Sequence, residues 1–170
     1  MSKILEQRMS VKITGDFVVF LIGMRLNKIW KVWKWFPVLI AMPRMLRELQ
    51  KTPELGLHHA RVHFGLRNIL VVQYWKSYEH LHAFSNDKTR THLPAWQAFT
   101  KNIGSNGDVG IWHETYLIKA GEYEAVYNNM PIYGAAHAGE LLPAKGLRSR
   151  ASGRLEQARN DNAVVRPDDP

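Results

Sequence analysis

The chain has 170 residues, 45% hydrophobic and 22% charged, with no cysteine and a formal charge of +8. Its length suits one domain with a full-sized core, and its composition is that of an ordinary globular chain. Without cysteine there are no disulfides, thiolate metal sites or cysteine nucleophile, and the longest apolar runs, 17–23 and 37–42, are far shorter than the roughly 18–20 residues of a spanning helix.

Residues 1–14 mix charges with short apolar residues and show no signal-peptide core, so a cytoplasmic location is expected. Residues 16–24 (DFVVFLIGM) are β-branched and aromatic and predict a buried strand, with Gly23 allowing a close approach near its end. Arg25, Leu26 and Asn27 leave that strand. Between Arg25 and Lys51 seven basic residues face only Glu48, a basic bias that either solvates a helix face or attracts an anionic partner. Trp30, Trp33, Leu39, Met42, Met45, Leu46 and Leu49 fall on helical spacing, interrupted by Pro37 and Pro43. The expectation is a loose turn over 30–35 and a helix over 37–51, kinked or restarted at Pro43.

A strand is expected over 57–66, with His59, Arg61 and His63 alternating against His58, Ala60, Val62 and Phe64. A short connection leads into a second strand over 69–75, and Ser77 is placed to cap a helix over 77–86. Residues 96–103 predict a further short helix. The last strand, 109–119, puts Trp112, Glu114, Tyr116 and Ile118 on one face and Ile111, His113, Thr115 and Leu117 on the other. The order is β-α-β-β-α-β, an α+β, ferredoxin-like split βαβ sheet over residues 15–120. Both helices then cover one face, and the apolar opposite face calls for a partner, which a homodimer packing two sheets into a barrel supplies. Residues 121–146, with Tyr123, Tyr127 and Tyr133, form an aromatic extension expected to pack on the barrel. Residues 147–170 lose all aromatic character and are expected to be disordered.

Three segments carry a family likeness in the right order: FPVLIAMPRMLREL, LVVQYWKSYEHLHAF and GIWHETYLI, followed by YEAVYNNMP. Trp75, Ser77, Leu81 and Phe84 give the pattern W-x-S-x-x-x-L-x-x-F, and a polar loop then delivers His92. The chain resembles the antibiotic-biosynthesis-monooxygenase-like dimeric α+β barrel proteins over residues 16–142. It looks most like the monooxygenase-like branch of bacterial proteins and fungal polyketide-tailoring enzymes. The resemblance implies a cofactor-independent oxidation of a small hydrophobic, aromatic or polyketide-like molecule. Such a site needs an apolar cavity, a base and a few donors. His113 and His92 are the candidate catalytic acid–base residues; Arg25, Asn27, Tyr74, Trp75, Trp96, Trp112 and Tyr116 are candidate substrate-binding residues. Glu114 is expected to pair with a basic residue.

The same fold also hosts haem-binding and haem-degrading proteins and plain small-molecule binders. The haem alternative would take His92 as the iron ligand, with Asn27 and Trp75 nearby; Asn27 lies beyond the strand rather than in it, and Leu93-Pro94 departs from the ligand's usual helical setting. Nucleic acid is not expected as a partner, because His63-Phe64-Gly65-Leu66 lacks the basic-Gly-aromatic segment of an RNA-binding sheet. No metal is expected. His59 and His63 would sit about 13 Å apart on a strand at roughly 3.3 Å per residue, and His80 and His82 point about 200° apart on a helix.

Overall fold

The computed structural model describes residues 3–87 and 106–163. In chain order its elements are β1 (Met9–Lys12), β2 (Phe17–Leu26), α1 (Val32–Lys51), β3 (Leu57–Phe64), β4 (Asn68–Trp75) and α2 (Tyr78–Asn86). They continue with β5 (Val109–Ile118), β6 (Val126–Tyr127), β7 (Glu140–Pro143) and α3 (Ala151–Asp161). Two compact units divide these elements, Val18–Tyr116 and the combination of Met1–Phe17 with Leu117–Pro170.

In the first unit the sheet order is β3-β4-β2-β5, with α1 and α2 in the connections. This is the split β-α-β-β-α-β arrangement expected from the pattern. Alternation along the strands is set by burial. Val18 and Val71, with Leu46 and Leu49 of α1 and Leu81 and Phe84 of α2, form one buried cluster around Trp75. Met24, Leu26 and Val109 form a second, packed by Trp35, Val38 and Leu39 of α1. The even-numbered residues of β2 and the odd-numbered residues of β4 and β5 therefore face the helices.

β3 reaches the same phase through a bulge. Leu57 lies opposite Trp75, yet His59 lies opposite Tyr74, the next residue of β4, so His58 is the extra one. Leu57, Ala60 and Val62 can then all pack toward the helix-side cluster, while His59, Arg61 and His63 line up with Tyr74, Val72 and Leu70. Gly56, before the bulge, has φ +83° and its Cα abuts the His80 ring, where a Cβ would come within 2.5 Å.

The expected break between a turn at 30–35 and a helix from 37 is not seen. α1 runs continuously with Pro37 and Pro43 inside it. Each proline removes one intrahelical N–H donor, a loss offset by the inward stripe of Trp35, Val38, Leu39, Met42, Leu46 and Leu49. Ser77 caps α2, its Oγ accepting the His80 backbone N–H at 3.5 Å. The expected helix over 96–103 lies outside the described residues.

In the second unit a small sheet of order β6-β1-β7 joins chain ends that are remote in sequence. Met9 pairs with Tyr127 on one side and Pro143 on the other. The aromatic extension thus supplies two strands that flank an N-terminal one. Tyr123 sets its ring edge-on to Phe17 at 5.5 Å and donates its O–H to the Ile13 carbonyl at 3.1 Å.

The expectation of disorder over 147–170 is corrected for residues up to 163. Residues 146–149 form a 3-10 turn, and α3 follows with Gly153, Arg154 and Ala158 buried. Composition missed this because the segment is anchored by polar side chains, Arg154, Arg148, Arg159 and Asn162, rather than by apolar bulk. Arg154, 5% exposed, donates to the Glu124 carboxylate and, at 3.0 and 3.1 Å, to the Arg148 and Ser149 carbonyls. A buried guanidinium held on all sides satisfies its own desolvation cost.

Candidate active site

The two faces of the main sheet divide the candidate residues. On the face away from the helices, the register places Val19, Tyr74 and His59 in one row, Leu21, Val72 and Arg61 in the next, and Gly23, Leu70 and His63 in a third. Trp112 joins this face from β5, its indole lying over Gly23. Tyr116 follows four residues on and donates its O–H to Glu114 at 2.6 Å, which raises the phenol above its ordinary pKa. Among the described residues Glu114 thus meets a tyrosine, where a basic residue was expected. Arg25 reaches Asn68 Oδ1 at 3.2 Å.

On the helix-side face a polar group sits where the pattern of Ile69 and Val71 would continue. Gln73 is 6% exposed and lies directly opposite Phe20 on one side and Ala60 on the other. Its Oε1 accepts the indole N–H of Trp75 at 2.8 Å. Trp75 is fully buried, tilted against Phe84 at 5.8 Å between ring centroids. On the far side of Phe20 stands His113, 5.7 Å from the phenyl centroid. A cross-strand row thus runs Phe20, Gln73, Ala60, with the His113 ring leaning on Phe20 from β5 and Trp75 two residues along β4. A buried amide in such a row requires partners, and the indole N–H supplies one.

His113 and Trp75 accordingly share the inner face, while Arg25, Tyr74, Trp112 and Tyr116 share the outer one. Asn27 belongs to neither row. Its Nδ2 donates to the Gly107 carbonyl at 3.1 Å, and its backbone N–H to the Asp108 carbonyl at 3.1 Å. It stitches the end of β2 to the approach to β5. His92, the second acid–base candidate and the ligand of the haem alternative, lies outside the described residues, as does Trp96. Gln73 and Phe20 were not among the sequence candidates, although one glutamine at inward parity within ILVVQYW was a legible signal.

Asp108 is the electrostatic anchor of the β5 start. Its side chain is 2% exposed, and Lys28 and Lys31 each approach a carboxylate oxygen at 2.8 Å. Those hydrogen bonds, with Lys28 foremost, hold its carboxyl below the ordinary range. At the other end of the sheet Leu49, Gln50, Pro53, Leu57, His58, His59 and Ala60 line a cleft of about 250 Å³. Burial, then the charges of Lys76 and His80, push His58 below the usual histidine range. Among the described residues no cluster of three metal-ligating side chains occurs, and no helix is long and apolar enough to cross a membrane.

The model of the Monooxygenase af470-like family matches residues 17–135. No curated protein matches the chain. Among solved structures, aldoxime dehydratase is 15% identical with a TM-score of 0.63, covering 81% of this chain and 43% of its own. SnoaB, a cofactor-independent oxygenase from Streptomyces nogalater, is 10% identical with a TM-score of 0.44, over 59% of this chain and 91% of its own. Rv0793 from Mycobacterium tuberculosis is 10% identical with a TM-score of 0.44, over 61% and 98%. The aldoxime dehydratase likeness bears on the fold, and the family match spans both helices and all four strands of the main sheet. The chain belongs to the Monooxygenase af470-like family.

Proposed function

We propose that the protein carries out a cofactor-independent oxidation of a small hydrophobic aromatic or polyketide-like molecule on the helix-side face of its main sheet. The observation that carries this reading is the His113 ring set against Phe20, which is itself in register with Gln73 and its bonded Trp75. The half-buried Phe20 ring and the exposed His113 imidazole at its edge are what a phenolic substrate needs for stacking and loss of a proton, with Gln73 and Trp75 as the buried support beneath them. Imidazole is suited to that proton transfer near neutral pH. A hydroxyarene that has lost its proton is itself the reductant. Dioxygen takes four electrons from it in all: two on forming a hydroperoxide at a ring carbon, and two more when the O–O bond breaks, leaving one oxygen as a quinone carbonyl and releasing the other as water.

The opposite face is proposed to close against a second copy. Trp112 and Tyr116 are 40% and 48% exposed there, beside the partly covered Val19, Leu21, Leu70 and Val72. An apolar sheet face of this kind is stabilised by burial against its two-fold mate.

The test is oxygen uptake with a panel of hydroxynaphthalene and hydroxyanthrone substrates. Turnover is expected without added metal, flavin or haem, and His113→Ala is expected to lower kcat about 100-fold or more. Phe20→Ala should act mainly on KM. Oxygen uptake that survives His113→Ala unchanged, or that appears only on adding a cofactor, would sink the assignment. Sedimentation of the protein and of Leu21→Arg reads the dimer; a monomeric wild type would refute that part.

A further inference from the structure

Helix α1 carries a second apolar stripe that its core packing does not use. Trp33, Phe36 and Ile40 recur at helical spacing and are 68%, 48% and 39% exposed, with Trp30, 67% exposed, just before the helix. At 100° per residue these side chains lie on the side opposite Trp35, Val38, Leu39, Met42, Leu46 and Leu49. The first half of α1 is therefore apolar on both sides, whereas its second half turns Arg47, Gln50 and Lys51 outward as exposed residues.

The stripe is bordered by charge of one sign. Arg25, Lys28, Lys31 and Lys34 surround the helix start, and no acidic residue occurs in its first turn. Asp108 is shared by Lys28 and Lys31, so one carboxylate meets two ammonium groups and a positive rim remains. The helix dipole adds to this rim, because its positive end lies at the same place.

We infer that the first half of α1, with Trp30, docks this protein on an anionic lipid bilayer surface. Exposed tryptophans interleaved with lysines are the composition of a helix that lies in the membrane interface, the rings at the headgroup level and the ammonium groups among phosphates. The stripe from Trp33 to Ile40 is only about 10 Å long at 1.5 Å per residue, which suits shallow insertion and not a span. A second copy is disfavoured as occupant, because a two-fold contact would set the positive rim against itself. This inference stands on α1 and the residues leading into it and is independent of the chemistry at His113.

The experiment is vesicle flotation of the full chain with phosphatidylcholine vesicles and with mixed phosphatidylcholine–phosphatidylserine vesicles. Binding is expected to the mixed vesicles, weakening as salt is raised. Trp33→Glu with Phe36→Glu is expected to lower the partition coefficient about tenfold or more, with circular dichroism and melting temperature unchanged because both positions are exposed. Trp33→Leu should keep most of the binding. Absence of binding, equal binding to neutral vesicles, or equal binding by the double variant would each overturn the inference. So would a double variant whose mass in solution halves, since the stripe would then be a contact between copies.

Discussion

The indole of Trp112 occupies the space that a side chain at Gly23 would need: a Cβ there would lie 2.4 Å from both Cε2 and Nε1 of the ring. Two neighbouring strands therefore share one side chain across the outer face. Glycine weakens a strand in general, so its place in the middle of an apolar run follows from its neighbour. Gly23→Ala is expected to destabilise the fold by about 1–3 kcal/mol through overpacking. In a Trp112→Ala background the same change should cost far less, and urea unfolding of the four proteins in the cycle measures the coupling. Additive effects would mean that the indole does not rest on Gly23.

Arg154 anchors the last helix through the Glu124 carboxylate and two carbonyls. Arg154→Met keeps the stem but strands those acceptors, and a loss of about 2–4 kcal/mol is expected for the unit that contains α3. Limited proteolysis is the sharper readout. The wild type should resist cleavage over residues 146–161, and the variant should be cut there early. Rapid cleavage of the wild type would contradict an ordered α3.

His58 is held below the ordinary histidine range by burial first and by Lys76 and His80 next. A base whose folded pKa is depressed binds fewer protons folded than unfolded. Stability is then fully present above the unfolded value and falls as pH drops through the window beneath it. The melting temperature should decline from pH 7.5 to pH 5, and His58→Gln should flatten part of that slope. An identical slope in the variant would assign the decline to other groups.

Asp108 acts with the same sign in a lower pH window. Its carboxyl is lowered by hydrogen bonds from Lys28 and Lys31, so its contribution is present above the unfolded value of 3.8 and is lost as pH falls through the lower folded value. Asp108→Asn should destabilise the protein at pH 7, where two ammonium groups lose their shared partner. It should also reduce the dependence of stability on pH below about 4. Denaturant midpoints at pH 7 and pH 3 for both proteins decide this.

Much of the architecture was legible in the residues themselves. Period-two alternation and bounding turns placed all four strands of the main sheet within a few residues, Ser77 marked the start of α2, and the element order led to the split βαβ arrangement. The inner stripe of α1 was equally plain, but its continuity through Pro37 and Pro43 was not, because propensity argues for a break and only burial against both core clusters outweighs it.

What the chain could not disclose locally is which side of each strand meets the helices. That choice depends on packing and, in β3, on one extra residue at His58, and it separates His113 and Trp75 from Arg25, Tyr74, Trp112 and Tyr116. The pairing of Met9–Lys12 with Val126–Tyr127 and Glu140–Pro143 was hidden for a related reason. Strands of two to four residues carry too little pattern to be seen alone, and they exist because partners more than a hundred residues away complete their hydrogen bonds. Periodicity, in short, is written in the residues one after another, whereas face, register and long-range pairing are properties of the packed chain.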